Sequence, residues 1–101
     1  PDGLIEIGGS AFLGCTGLTT VDASRCQLEF QQEHFHYYQF MNCRNLKLFS
    51  IGNIVPPEID RMIFYNALAD NPTLKVPAES VDAYKASYYW AYYFDNIVPL
   101  D

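Results

Sequence analysis

Two stretches decide how this chain is read: Ile7-x4-Phe12-x2-Cys15-x2-Leu18-x2-Val21 and Phe35-x4-Phe40-x2-Cys43-x2-Leu46-x2-Phe49. A third copy starts as Ile59-x4-Phe64-x2-Ala67 and stretches before Leu74 and Val76. The phenylalanines lie 28 residues apart from Phe12 to Phe40 and 24 apart from Phe40 to Phe64. A period in this range predicts a solenoid, because a unit this short buries its apolar side only against its neighbours. Repeats are expected over residues 4–24, 28–52 and 56–77, with a cap over 78–101. An architecture of this kind offers a long surface rather than a deep pocket, which favours binding over catalysis.

Each unit reads as a short helical turn followed by a strand. In the first, Ser10 stands where a cap would, Phe12 and Cys15 share a face three residues apart, and Gly17 ends the turn. The strand over Leu18–Ala23 turns Val21 and Ala23 inward and Thr20 and Asp22 outward. In the second, the strand over Leu46–Ile51 turns Phe49 and Ile51 inward and Leu48 and Ser50 outward. Phe12, Phe40, Phe64, Leu18, Leu46 and Leu74 are expected to stack as one core. Between these units, Leu28-Glu29-Phe30 reads as a short extended piece, and the polar run from Gln31 to Tyr38 as an exposed inserted turn. In the third, Pro56-Pro57 exclude helix, Ala69 to Pro72 is a loop, and Thr73–Val76 is a short strand ended by Pro77. Beyond it, Val81, Tyr84 and Tyr88 recur at helical spacing, so a helix is expected over Ala78–Ser87 with a looser turn after it. Asn96 to Leu100 then extends, and this tail after Pro77 breaks the repeat, as a capping unit does.

Composition narrows the function. Of 101 residues, half are hydrophobic and 18% charged, which describes one globular domain rather than a disordered chain. A net charge of −6 with scattered basic residues argues against nucleic acid, which needs clustered Lys and Arg. The longest apolar run, Tyr88 to Phe94, is far below the roughly 20 residues of a membrane-spanning helix, so no membrane insertion is expected. The chain opens on Pro1-Asp2-Gly3 and enters a repeat at once, so it reads as a piece of a longer protein. Leu4-Ile5-Glu6-Ile7 then has no cap before it, and self-association through this N-terminal end is expected.

With three cysteines, at least one has no intrachain partner. Cys15 and Cys43 hold the same repeat position, so a bridge between stacked units is one reading. The preferred reading makes both small buried apolar residues, since the third unit carries Ala67 there. His34 and His36 lie two apart beside Glu33, but two ligands without a third do not make a metal site, and none is expected. There is no Gly-x-Ser-x-Gly, phosphate-cradling glycine loop or His-Glu-x-x-His, so no catalytic residue and no cofactor are expected. Tyr84, Tyr88, Trp90 and Phe94 are expected to pack the cap, whereas Tyr37 and Tyr38 serve packing and binding readings equally. The interaction surface expected from the sequence is Thr20, Asp22, His34, His36, Tyr37, Tyr38, Leu48, Ser50 and Lys75.

The pattern Ile7-Gly8-x2-Ala11-Phe12-x2-Cys15-x2-Leu18-x2-Val21 resembles the BspA-like class of leucine-rich repeats. The ending is the closer match: Thr73-Leu74-Lys75-Val76-Pro77, Ser80-Val81-Asp82-Ala83-Tyr84-Lys85, Trp90 and Asn96-Ile97-Val98-Pro99-Leu100 look like the C-terminal end of such proteins in Bacteroides-type bacteria. The chain departs from the pattern in the second unit, where Phe35-His36 replaces Ile-Gly and Gln39 replaces a small residue. The resemblance implies a short right-handed α/β solenoid with a helical C-terminal cap. It also implies a secreted or cell-surface bacterial protein that binds a protein or glycan partner, with no catalytic residues. The alternative of a different class is a purely structural end-cap for repeats outside this chain.

Overall fold

The chain builds six strands in a computed structural model that describes residues 3–7, 14–30, 40–59 and 63–100, of which 3–7, 26, 27, 29 and 30 are described by backbone alone. They are β1 (Gly3–Ile7), β2 (Thr20–Ala23), β3 (Cys26–Phe30), β4 (Leu46–Ile51), β5 (Leu68–Val76) and β6 (Asn96–Pro99). Between β5 and β6 lie a 3-10 turn over Ala78–Ser80 and two short helices, α1 (Val81–Ala86) and α2 (Tyr88–Tyr93). All pairing is parallel. β1 pairs with β3, and a four-stranded sheet runs in the order β2-β4-β5-β6. Parallel neighbours need a crossover between them. The crossover from β5 to β6 is built by the 3-10 turn and the two helices, and β3 lies in the one from β2 to β4.

The four-stranded sheet carries the strand alternation to its inner face. Val21, Phe49, Leu74 and Ile97 form one cross-strand row, and Ala23 and Ile51 stand opposite one another two residues on. Phe49, Ile51, Leu74 and Ile97 are buried; Val21, in the edge strand, is half-buried. The β4 limits match the strand expected over Leu46–Ile51. The first strand starts at Thr20 rather than Leu18.

The turns before the strands stack as well. Gly14 N–H donates to the Met41 carbonyl (2.9 Å), Phe40 N–H to Ile63 (3.1 Å) and Asn42 N–H to Tyr65 (2.9 Å). Gly14, Asn42 and Asn66, each two residues after a repeat phenylalanine, all adopt positive φ (73°, 64° and 55°). Glycine and asparagine are the residues that take this conformation at least cost. Where they are described, the second and third turns end as tight turns, closed by Cys43 N–H to Phe40 (3.2 Å) and Ala67 N–H to Phe64 (3.0 Å), and the rest of the expected helical turns lies outside the described residues. Gly17 lies inside a turn closed by Leu18 N–H to the Cys15 carbonyl (3.0 Å), just ahead of β2.

The core is aromatic. Phe40 stacks on Phe64 at 5.5 Å, and both meet Phe49 edge-on at 5.3 and 5.6 Å. Phe64 continues to Phe94 (5.3 Å) and Trp90 (5.7 Å), and Trp90 to Tyr84 (5.5 Å). Edge-to-face pairs at these separations add stabilisation beyond the buried area.

Several expectations need correction. The third strand covers nine residues rather than four, because Leu68 already pairs with Leu46 and the ladder resumes only at Thr73 opposite Leu48. The intervening residues bulge out, with Asn71 at φ 54°. Leu74 thus stands in the row of Phe49, not of Leu46; it is buried, but the expected repeat alignment is shifted. Leu18 is half-buried against the core, and Phe12 lies outside the described residues, as does Ser10. The tail after Pro77 departs from the turn-and-strand unit by its helices, but its extended end, not expected to join the sheet, does so: β6 pairs in parallel with β5, Thr73 opposite Asn96 and Lys75 opposite Val98. The helix expected over Ala78–Ser87 is a 3-10 turn over Ala78–Ser80 followed by α1, and the chain does not continue helically through Ser87, whose φ −82° and ψ 122° are extended. Tyr88 therefore opens a new helix, and at 75% exposure it leaves the cap packing assigned to it. Tyr84, Trp90 and Phe94 are buried.

The cap is sewn to the segment after β4 by three side chains. Ser80 Oγ donates to the Ile54 carbonyl (2.6 Å), Tyr84 Oη to Asn53 (2.9 Å) and Trp90 Nε1 to Pro57 (3.0 Å). Asn53 itself replaces a strand beside β3. Its Oδ1 accepts from Leu28 N–H (2.8 Å) and its Nδ2 donates to the Leu28 carbonyl (2.9 Å). Buried backbone groups rarely go unpaired, and here one amide side chain satisfies two of them. No helix among the described residues is long and apolar enough to cross a membrane.

Candidate interaction face

The outward positions of the four-stranded sheet form two cross-strand rows. Thr20, Leu48, Thr73 and Asn96 make one; Asp22, Ser50, Lys75 and Val98 make the other. Strand alternation produces this arrangement: when Val21, Phe49, Leu74 and Ile97 point inward, their neighbours point outward together. Five of the nine residues expected from the sequence, Thr20, Asp22, Leu48, Ser50 and Lys75, are thereby gathered on one face. The other four, His34, His36, Tyr37 and Tyr38, lie outside the described residues.

Exposure varies across the face. Thr20 and Asp22 on the edge strand are exposed, and Leu48 and Lys75 are half-buried. Ser50 is a correction: it is buried, at 7% exposure. A two-atom side chain between Asp22 and Lys75 on the same row sits below the surface its longer neighbours make. It shapes the floor of the face rather than projecting from it.

The sequence reading missed three members of the face. Thr73 was assigned to a strand but not to its outer side. Asn96 and Val98 were missed because the tail was taken to leave the repeat. The alternation in Thr73-Leu74-Lys75-Val76, repeated in Asn96-Ile97-Val98-Pro99, was the available signal.

Electrostatically the face carries one acid and one base. The Ser24 hydroxyl (2.7 Å) and, second, the Ser24 N–H (3.1 Å) hold the Asp22 carboxyl below its usual value, so it is ionised at neutral pH. The same two bonds fix the corner between β2 and β3. Asp22 and Lys75 are separated by one strand, about 9.6 Å across two ladder spacings. That is close to a Debye length at moderate salt, so neither neutralises the other strongly. The face thus sets hydroxyls, an amide, a carboxylate and an ammonium along two cross-strand rows.

A second exposed group lies on α2. Tyr88 and Tyr92 are 75% and 67% exposed, with near-parallel rings 6.5 Å apart. They fall four residues apart on a helix whose other side buries Trp90. Among the described residues, no group of three His, Cys, Asp or Glu is arranged to hold a metal ion. Compared with protein-family models, curated proteins and solved structures, the chain matches none of them.

Proposed function

We propose that this chain is a non-catalytic binding module. It is read as a short leucine-rich-repeat solenoid of BspA-like type from a secreted or cell-surface bacterial protein. Its ligand is a protein or glycan, held on the outer face of the four-stranded sheet. One observation carries this reading: that face is a parallel sheet surface whose edge-strand residues Thr20 and Asp22 and tail residue Asn96 are exposed. Parallel sheets are ordinarily covered on both sides. A row of hydroxyl, amide and charged groups left on one side is a surface suited to a polar partner. Binding to arrays of glycans and extracellular proteins tests it, with the wild type compared against a Thr20→Glu/Thr73→Glu/Lys75→Glu variant. A ligand whose affinity falls at least tenfold in the variant, at unchanged melting temperature, is the expected result. Equal binding by both proteins overturns the assignment to this face.

A second reading has its own support. Ser80, Tyr84 and Trp90 tie the helices to the carbonyls of residues 53–57, the arrangement of a terminal cap. If capping is the whole role, no array ligand distinguishes the variant from the wild type.

A further inference from the structure

Cys15 and Cys43 meet in the stacked turns. The offset of 28 residues that pairs Thr20 with Leu48 and Ala23 with Ile51 also relates Gly14 to Asn42, and hence Cys15 to Cys43. Two hydrogen bonds bracket the pair: Gly14 N–H to the Met41 carbonyl on one side (2.9 Å) and Asn45 Nδ2 to the Thr16 carbonyl on the other (2.7 Å). Neighbours in such a ladder have Cα atoms about 4.8 Å apart, inside the roughly 4.4–6.8 Å range that a disulfide spans. The next position in the column is Ala67, so the pair ends there. Cys15 is exposed, which corrects the expectation that both cysteines are buried; Cys43 is fully buried, as expected. The Cys15 backbone N–H lies close enough to the Cys43 sulfur to influence it, which places the two residues side by side.

We propose that Cys15 and Cys43 form an intramolecular disulfide when the chain meets a disulfide oxidant such as oxidised glutathione, cross-linking two successive turns. The exposed Cys15 thiolate attacks one sulfur of the oxidant, forming a mixed disulfide and releasing one glutathione thiolate. The Cys43 sulfur then attacks the Cys15 sulfur and expels the second glutathione. The protons of the two protein thiols pass to the two glutathiones, so two protein thiols are oxidised as one glutathione disulfide is reduced. The order follows from exposure: burial pushes the Cys43 thiol up, with the Cys15 N–H partly offsetting it, so Cys43 resolves rather than initiates. The bond would clip the outermost described turn to the next one and close a long loop of the unfolded chain.

The test treats the intact chain with oxidised glutathione, alkylates remaining thiols, and maps peptides by mass spectrometry without reductant. The expected product has lost the mass of two hydrogens, joins the Cys15 and Cys43 peptides, and melts roughly 10 °C higher than the same sample in dithiothreitol. Cys43→Ala, which copies the residue the third turn carries at Ala67, is expected to fold and to stop at a glutathione adduct on Cys15. A wild-type chain that also stops at that adduct, or a cross-link that uses Cys26 or a second copy, overturns the proposal. Cys26→Ser separates these outcomes, since it leaves the Cys15–Cys43 bond intact only if the pairing is as proposed.

Discussion

Asn53 shows how much of this fold hangs on single polar side chains. Its amide completes the backbone of Leu28 while its own carbonyl accepts from Tyr84. Asn53→Ala strands a buried N–H and a buried C=O at Leu28. It should cost about 2–4 kcal/mol, read as a lowered urea midpoint at unchanged m-value. Tyr84 makes a pH-dependent contribution. Burial raises its phenol above the ordinary value of about 10, so the neutral form is favoured in the fold. A raised folded-state value means the contribution is complete below pH about 10. It is lost as pH climbs past the unfolded value towards the folded one. Melting temperature should therefore fall more steeply above pH 10 in the wild type than in Tyr84→Phe, which starts lower but lacks this titration. Parallel curves for the two proteins would show that ionisation of Tyr84 does not limit alkaline stability.

At the scale of elements, the repeated unit is a turn in the left-handed region followed by a strand. Gly14, Asn42 and Asn66 hold equivalent positions, and Asn66 Nδ2 donates to Asn42 Oδ1 at 3.1 Å. Asn42→Ala forces a Cβ-bearing residue without a local hydrogen-bonding side chain into positive φ and removes this bond. It should destabilise by about 1–2 kcal/mol. Asn42→Gly loses only the bond and should cost well under half as much; equal losses in chemical denaturation would exclude a backbone origin. The cap depends on a different local device. The extended Ser87 breaks what would be one helix, so α2 changes direction and delivers Trp90 and Phe94 to Phe49 and Phe64. Helical periodicity read straight through Ser87 misplaced Tyr88 for this reason.

At the scale of the molecule, the two ends of the four-stranded sheet differ. β6 is four residues long and carries Pro99, which has no N–H to offer a further strand. At the other end, β2 has no neighbour on its outer side among the described residues, and Val21 and Leu18 there are only half-buried. An edge with unpaired backbone groups beside partly open apolar side chains invites pairing with another chain. Light scattering should report a mass that rises with protein concentration, and Val21→Lys should return it to that of a monomer. A monomer at every concentration would show that this edge is already protected.

Much of the inner pattern is legible in the residues alone: the spacing that buries Phe40 with Cys43 and Phe64 with Ala67, the alternation over Leu46–Ile51 and the position of the cap residues Tyr84 and Trp90. These are local periodicities, and period alone says which side chains share a face. It also placed Thr20, Asp22, Leu48, Ser50 and Lys75 on outward strand positions, so part of the candidate face was legible. Chain packing alone reveals that Leu68 rather than Leu74 stands opposite Leu46, that Asn53 stands in for a strand, and that Asn96-Ile97-Val98-Pro99 joins the sheet. It alone separated an exposed Cys15 from a buried Cys43. Each of these depends on which segment lies alongside which, and pairing partners 20 to 30 residues apart are chosen by the packing of the whole chain.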